Sequence, residues 1–222
     1  MKLHFSGLWV YRYAWLSGLK NTLLITAVAL VVSFVVSLIV AYCNMSKIKP
    51  LKWFGAAYVS LFRGVPAIVQ IMFIYFGIPS ITGHKLTPFV AGFIALGLNS
   101  AAFLSELLRG GIQNVDYGQS EAAYAMGMGK ARVTFGIVIP QAFKSVLPGM
   151  INEVIALLKG SSLVYAISYA EVMRQTQIVI SSTFRAFECY IVVGAIYYIL
   201  VMILTIIGNK VERWVSKSGK RS

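Results

Sequence analysis

Long apolar runs, separated by short polar or basic segments, make up most of this chain. A bilayer core needs about 20 apolar residues in helical form, and five segments approach or reach that length. The predicted spans are residues 21–46, 65–79, 89–105, 144–158 and 189–209. The pattern predicts an all-α fold: a polytopic membrane helical bundle of about five transmembrane helices, in a single domain that covers residues 1–222.

Two further features refine this outline. The sequence Arg63-Gly64-Val65-Pro66 cuts an apolar run, and proline disfavours helix at the residue before it. We therefore predict a half-helix at the interface, a break, and then the second span. Residues 1–18 are rich in aromatic and basic side chains and lack the short apolar core of a cleavable signal peptide. They are predicted to form an amphipathic segment in the membrane interface.

Composition and charge exclude an ordinary soluble domain. Hydrophobic residues make up 58% of the chain, the mean hydropathy is +0.76, and the net charge is +13. The basic residues lie between the apolar runs, which favours membrane lipid over nucleic acid as their partner. Five spans place the basic tail, residues 210–222, on the same side as the basic loop after the first span. By the positive-inside rule this side is cytoplasmic, so the N-terminus is predicted outside and the C-terminus in the cytoplasm.

A polar island at residues 117–148 separates the third and fourth spans. Asp116 or Ser120 is expected to cap its first helix, since both side chains accept backbone hydrogen bonds at helix starts. Gly127 is expected to turn the chain, and a second short helix is expected to stop near Pro140. Two helices that meet at a glycine predict a compact cytoplasmic knob. The alternative is a loop that packs only on its own bundle.

The island resembles a known signature. Its residues follow the spacing of the EAA motif in permease subunits of binding-protein-dependent ABC importers: Glu121-Ala122-Ala123, then Gly127, then Ile137-Val138-Ile139-Pro140. Ile139 stands where that family usually has Leu. Other segments resemble its polar amino-acid uptake branch: Arg63-Gly64-Val65-Pro66, Asn99-Ser100-Ala101-Ala102, the run from Glu106 to Gln113, and the run from Lys159 to Val164. Gly160 departs from the family, whose members often carry a carboxylate there. The likeness covers roughly residues 18–213, and the motifs together are more specific than any one alone.

This resemblance implies a type I ABC importer transmembrane domain. In such importers the coupling region, residues 114–140 here, docks into a cleft of a separate ATP-hydrolysing subunit. The residues assigned to this coupling are Glu121 for a polar contact, Ala122 and Ala123 for close packing, Gly127 for the bend, and Pro140 at the end of the region. The implied partners are cytoplasmic ATP-binding subunits, a second permease subunit of the same or similar sequence, and an extracellular or periplasmic solute-binding protein. The implied location is a bacterial cytoplasmic (inner) membrane.

Polar residues within or beside the spans are candidates for a substrate path, because such groups are costly in a bilayer and usually functional. The candidates are Asn99, Ser100, Glu106, Glu153, Lys159, Ser161 and Ser162. No cofactor or metal site is expected in this chain, which lacks a Gly-rich phosphate loop. ATP and magnesium are expected in the partner ATPase, and the chain itself is not expected to be an enzyme.

Several path candidates also have a structural alternative. Asn99 and Glu106 lie seven residues apart on one helical face, but Glu106 is also spaced to pair with Arg109. Glu153 faces either the path or a cation on a neighbouring helix. Lys159 either meets a substrate carboxylate where a helix breaks or snorkels to the outer interface.

The sequence therefore predicts a permease subunit of an ABC importer for an amino acid or a similar small polar solute. The main alternative is an ATP-independent channel or secondary transporter, for which the knob would have no role. An exporter of the same type is a variant of the first hypothesis. An integral membrane enzyme would need a convergent acid–base or metal set, and the sequence offers none.

Overall fold

The computed structural model describes Phe5 and residues 7–218 of the chain. These residues form ten α-helices joined by short connections. The helices are α1 (Arg12–Met45), α2 (Lys49–Gly64), α3 (Ala67–Met72), α4 (Ile78–Thr82), α5 (Pro88–Gln113), α6 (Tyr117–Ala125), α7 (Lys130–Val133), α8 (Ile139–Gly160), α9 (Val172–Thr183) and α10 (Ala186–Ser218). Tight 3-10 turns lie at Leu8–Tyr11 and Ser161–Ile167, and wide π-helical turns lie at Phe73–Gly77 and Thr134–Val138.

The long helices confirm the predicted bundle. Four continuous stretches are long and apolar enough to cross a membrane: Leu8–Met45, Pro88–Gln113, Lys130–Ile167 and Ala186–Val215. Lys49–Gly64 and Ala67–Thr82, with a bend of 106° between them, are together long and apolar enough for a fifth crossing when the pair is counted as one broken span. The second span is therefore broken beside Pro66, where the sequence predicted a break.

The start of the chain differs from its prediction. From Arg12 onward the predicted interfacial segment, residues 1–18, is part of the same continuous helix as the first span. Packing against α9 holds this part in place, because the indole of Trp15 donates to Thr176 at 3.1 Å. A Cβ at Gly18 would lie 2.9 Å from the Cα of Val172, so only glycine allows this close contact. Residues 1–4 and 6 lie outside the described part of the chain.

The fourth span also differs from its prediction. The expected helix end near Pro140 is wrong, since helix continues from Lys130 to Ile167. The wide turn at Thr134–Val138 ends two residues before Pro140, where a regular turn would press the proline ring against the carbonyl four residues earlier. The expected break at Gly160 is wrong as well, because this residue keeps helical torsion angles. The chain leaves the helix only at Ser168, whose φ is +62°.

The core of the bundle is built on small residues between α1, α5 and α8. Gly97 on α5 lies against Val32 and the carbonyl of Ala29 on α1, where a Cβ would come within 3.1 Å of each. The buried cluster around this contact joins α1, the broken span, α5 and the end of the fourth span. Its fully buried members include Ile25, Ala29, Ile71, Ala91 and Val164. Polar residues at the middle of α5, such as the buried Ser100, are therefore enclosed by neighbouring helices.

A buried carboxylate caps α9, in the connection between the last two spans. Glu171 is fully buried and accepts hydrogen bonds from the backbone N–H groups of Met173 and Arg174, both at 2.7 Å. The hydroxyl of Tyr197 on α10 donates a third at 3.0 Å. Burial raises the pKa of Glu171 to about 7, and the three hydrogen bonds oppose that rise. This cap ties α9 to α10.

Candidate functional site

The region predicted to couple to an ATPase forms a protruding knob, defined here as residues 114–140. The Asp116 carboxylate accepts from the N–H of Gly118 at 2.9 Å and caps α6, which selects Asp116 over Ser120 as the capping residue. After α6 the chain turns at Gly127, whose φ is +80°. The N–H of Met128 then donates to the carbonyl of Ala123 at 3.1 Å, and α7 begins at Lys130.

The knob residues assigned to coupling divide by exposure. Glu121, Ala122, Gly127 and Pro140 are exposed. Ala123 is only 1% exposed, and it is the buried residue of α6 as Val133 is of α7. Since α6 packs against α7, Ala123 closes the knob from inside. Ala122 presents its methyl group outward.

Four large side chains on the knob, which the sequence analysis did not single out, are exposed. They are Tyr117, Tyr124, Met126 and Phe135, with exposed fractions from 47% to 76%. Tyr117, Glu121 and Tyr124 are spaced to share one face of α6. Aromatic residues at that spacing within a polar island were the available signal. An exposed apolar patch with a polar rim is typical of a protein interface.

A second set of candidates lies inside the bundle. The hydroxyl of Ser100, at the middle of α5, donates to the Glu153 carboxylate at 2.7 Å. The Ser33 hydroxyl on α1 donates to the Ser100 oxygen at 3.3 Å. The two serines are buried and Glu153 is half-buried. Glu153 makes no ion pair with any residue that the structure describes, so its partner there is a hydroxyl rather than a cation.

Glu106 has a different environment, toward the Gln113 end of α5. Arg109 donates to both of its carboxylate oxygens, at 3.1 Å from Nε and 2.7 Å from Nη2. Asn44 approaches the same carboxylate at 3.5 Å. The structure therefore contains the helix-end pair that the spacing of Glu106 and Arg109 allowed. A cavity of about 380 Å³ beside the pair is also lined by Lys52 and Gln113.

The hydrogen bonds of Asn99 do not involve the Ser100–Glu153 pair. Its amide donates to the carbonyl of Phe62 at 3.0 Å and to the side-chain oxygen of Gln70 at 3.2 Å. Both partners flank the break in the second span. Asn99 and Glu106 therefore share a helical face, as predicted, but serve different contacts.

The candidates at the end of the fourth span are not joined to Glu153 by any described hydrogen bond. Lys159 is exposed. The hydroxyl of Ser161, which is fully buried, donates to the carbonyl of Leu158 at 2.6 Å, and that of Ser162 donates to the carbonyl of Lys159 at 2.8 Å. Both hydroxyls thus bond within their own helix. Among the described residues no group of His, Cys, Asp and Glu is arranged to hold a metal ion.

Residues 33–217 match the family model described as binding-protein-dependent transport system inner membrane component. The chain belongs to this family. Its membership makes the protein a membrane-spanning permease subunit, the function that the sequence predicted, and displaces the alternative of an ATP-independent channel or secondary transporter. The family model covers all of the knob and all of the internal path candidates.

Individual members of the family are similar over nearly the whole chain. The arginine transport system permease protein ArtQ of Bacillus subtilis (strain 168) is 40% identical over 89% of this chain and 90% of its own length. The probable glutamine ABC transporter permease protein GlnM of the same organism is 37% identical over 92% and 94%. The putative glutamine transport system permease protein GlnP of Rickettsia conorii (strain ATCC VR-613 / Malish 7) is 38% identical over 88% and 90%.

Solved permease structures share the fold. A crystal structure of an amino acid ABC transporter with histidines matches with a TM-score of 0.91 and 38% identity, over 96% of this chain and 99% of that one. The MetNI methionine ABC transporter, in an inward-facing conformation, matches with a TM-score of 0.77 at 20% identity, over 91% and 96%; this second likeness concerns the fold alone. The predicted ABC-importer transmembrane fold is confirmed.

Proposed function

We propose that this permease carries an amino acid, or a similar small polar solute, through the bundle, and that Glu153 receives the ammonium group of the solute. The observation that carries the proposal is the half-buried Glu153 carboxylate, which has a hydroxyl partner but no described cationic one. A carboxylate within a span is costly without a partner of opposite charge. The ammonium of an amino acid supplies that charge, and Ser100 orients the carboxylate that meets it.

Two further points support an amino acid as the solute. The relatives named above are described as permeases for arginine or glutamine, and the matching crystal structure is of an amino acid transporter. The exposed ammonium of Lys159, six residues beyond Glu153 on the same helix, is suited to the carboxylate of a solute that enters from outside. Ser161 and Ser162 shape the helix end beside it, and Glu106 with Arg109 lies toward the exit.

We propose that the knob docks into a separate ATP-binding subunit, which holds ATP and magnesium and performs the hydrolysis. The exposed carboxylate of Glu121 gives a polar contact beside the exposed methyl group of Ala122. Tyr117, Tyr124 and Met126 enlarge the same surface with apolar area. Gly127 fixes the turn between α6 and α7. Pro140, at the start of α8, joins the knob to the fourth span.

The complete importer is proposed to contain a second permease subunit, two ATPase subunits and a solute-binding protein on the outer side. Gly7 lies against Arg185, so α1 and α10 begin at the same end of the bundle. The end of α10 and the knob lie at the other end, together with the exposed Lys47, Lys49 and Lys52. The positive-inside rule makes this basic end cytoplasmic and places the start of α1 outside.

The experiment that tests this function is co-purification followed by transport. The tagged protein is expressed with its candidate ATPase, purified in detergent, and reconstituted with a solute-binding protein into liposomes containing ATP. Wild-type protein should retain the ATPase and accumulate an amino acid in an ATP-dependent way. Glu121→Lys should lose the ATPase, whereas the control His84→Lys, which adds a lysine in the connection at the opposite end of the bundle, should keep it. Equal uptake with and without ATP or the ATPase would overturn the proposal and favour an ATP-independent channel or secondary transporter.

A further inference from the structure

The break in the second span leaves backbone carbonyls without their helical donors. In a regular helix the carbonyl of Phe62 would accept from the N–H of residue 66, but Pro66 has no N–H. The backbone of Val65 is extended, with φ of −106° and ψ of 135°. The N–H of Val69, which would donate to the Val65 carbonyl in a regular helix, donates to the Pro66 carbonyl at 3.0 Å instead. The carbonyls of Phe62 and Val65 therefore need other donors.

Two side-chain amides supply these donors. The amide nitrogen of Gln70 donates to the carbonyl of Phe62 at 2.9 Å and to that of Val65 at 2.8 Å. Asn99 donates to the carbonyl of Phe62 at 3.0 Å and to the side-chain oxygen of Gln70 at 3.2 Å. We call Gln70 and Asn99 the amide clamp. Backbone groups at membrane depth must be satisfied within the protein, so the clamp stabilises the 106° bend.

The clamp also fastens the bend to α5. One helical turn before Phe62, the hydroxyl of Tyr58 donates to the carbonyl of Leu98 at 2.7 Å, beside Asn99 in the sequence. The next residue is Ser100, which holds Glu153. Three consecutive residues of α5 thus bind the break on one side and the carboxylate on the other. Any displacement of the break against α5 at this level acts on the Ser100–Glu153 pair.

The surroundings of the clamp do not suit a polar solute. A cavity of about 490 Å³ lies beside the break, and Gln70 is the one polar residue among those that line it. Gln70 is 8% exposed, and its amide nitrogen and oxygen are both engaged in hydrogen bonds. A zwitterionic amino acid would lose hydration there without gaining partners. The amides are therefore occupied by the protein itself.

We infer that the amide clamp is a positioning device for transport: Gln70 and Asn99 hold the broken span at a fixed angle on α5 and thereby place Ser100 and Glu153, without contacting the solute. This inference rests on the proposed amino-acid transport. It assigns Asn99 to the support of the path rather than to its lining. Asn99 and Gln70 are accordingly positioning residues, whereas Ser100 belongs with the solute-binding pair.

The test combines a distance across the bend with transport kinetics. Spin labels are placed at Trp53→Cys on α2 and Ile81→Cys on α4, which are 76% and 81% exposed, while native Cys43 and Cys189 are buried. The assembled importer is compared with its Asn99→Ala, Gln70→Ala and Ser100→Ala variants. Asn99→Ala and Gln70→Ala should broaden the label distance distribution and lower the maximal transport rate about threefold to tenfold, the range set by one net hydrogen bond. Ser100→Ala should keep the distribution narrow and raise the half-saturating solute concentration.

Distinct results overturn the inference. An unchanged distance distribution in Asn99→Ala and Gln70→Ala would show that the amides do not hold the bend. A broadened label distance distribution with a wild-type transport rate would mean that Asn99 and Gln70 have only a structural role. A raised half-saturating concentration at an unchanged maximal rate would make Asn99 a solute contact. If Asn99→Ala gives no monodisperse complex, Asn99→Ser, which keeps a shorter donor, is judged by the same results. A wild-type complex that transports no amino acid would instead overturn the proposed function, and the label distances would still decide whether the amides hold the bend.

Discussion

The hydrogen bonds that shape the knob join residues that are close in the sequence, whereas those of the polar interior of the bundle join residues that are far apart in the sequence. In the knob, the cap at Asp116 and the turn at Gly127 are made by residues within a few positions of each other. In the interior, Ser100 bonds to partners 67 and 53 residues away, and Asn99 to partners 37 and 29 residues away. A local motif therefore describes the knob well. The interior acquires its chemistry only when several helices meet.

This difference predicts two kinds of mutational response. A substitution on the outer face of the knob should impair docking and leave the bundle intact. A substitution of Asn99, Ser100 or Glu153 in the interior should alter several helices or the solute site at once, because each of these residues bonds across a helix interface.

Replacement of the interior carboxylate should have the largest effect. Glu153→Gln removes the charge proposed to receive the solute, and a hydrogen bond to a charged group is worth about 1.5–3 kcal/mol, so transport per unit of solute should fall by about tenfold or more. ATPase co-purification should be unchanged, because the knob is intact. Glu212→Gln on α10 is the matched control. Equal loss in both variants, measured as initial uptake in liposomes, would contradict the role of Glu153.

The adjacent alanines of the knob offer the sharpest contrast between a buried and an exposed site. Ala123→Leu adds volume to a site that is 1% exposed, and overpacking of this kind costs about 1–3 kcal/mol. Ala122→Leu adds the same volume on the outer face, so it should leave the thermal unfolding temperature within error and weaken ATPase binding. Thermal unfolding in detergent and ATPase retention check the pair. Identical behaviour of the two variants would contradict the assignment of faces.

The buried carboxylate that caps α9 makes stability depend on pH. The pKa of Glu171 is raised from its usual value of 4.5 to about 7, so the folded protein binds an extra proton between these values. The free energy of unfolding should therefore be highest below about pH 4.5 and decrease as the pH rises through about 7. Glu171→Gln should flatten this dependence between pH 5 and 8, as measured by thermal unfolding. An unchanged slope would mean that another group titrates.

The turn of the knob should give the smallest effect. Gly127 has a φ of +80°, where a residue with a Cβ costs about 1–2 kcal/mol. Gly127→Ala should strain the turn and reduce ATPase retention, while Gly127→Asn should be closer to wild type because asparagine tolerates this conformation better. The measurement is the salt concentration at which the ATPase dissociates. Alanine performing as well as glycine would show that the turn can relax.

Much of the fold was predictable because membrane helices are encoded by runs of adjacent residues. The five crossings, the break before Pro66 and the turn at Gly127 all follow from local sequence. The positions of the helix ends did not follow from local sequence, because they depend on packing between helices. Trp15 and Gly18 extend the first helix by contacts with α9, about 150 residues later, and a wide turn lets helix pass Pro140.

The candidate sites were predictable as residues but not as partners. Helical spacing grouped Asn99 with Glu106. In the structure, however, Asn99 donates a hydrogen bond to the broken span, and Glu106 forms an ion pair with Arg109. Ser100 and Glu153 were separate candidates until three helices brought them together with Ser33. The spacing of Tyr117 and Tyr124 was sufficient to predict which side of α6 is exposed. The inward position of Ala123 depended on where α7 packs.

One helical stretch, from Lys130 to Ile167, joins the knob to the interior, and it contains Pro148. Glu153 lies 13 residues beyond Pro140, a distance of about 20 Å at the α-helical rise. If this rod pivots near Pro140, a tilt of about 5° at the knob carries Glu153 sideways by about 2 Å, which is enough to part a hydrogen bond. A small rotation imposed on the knob would then release the hydroxyl of Ser100, provided that the helix moves as one body past Pro148.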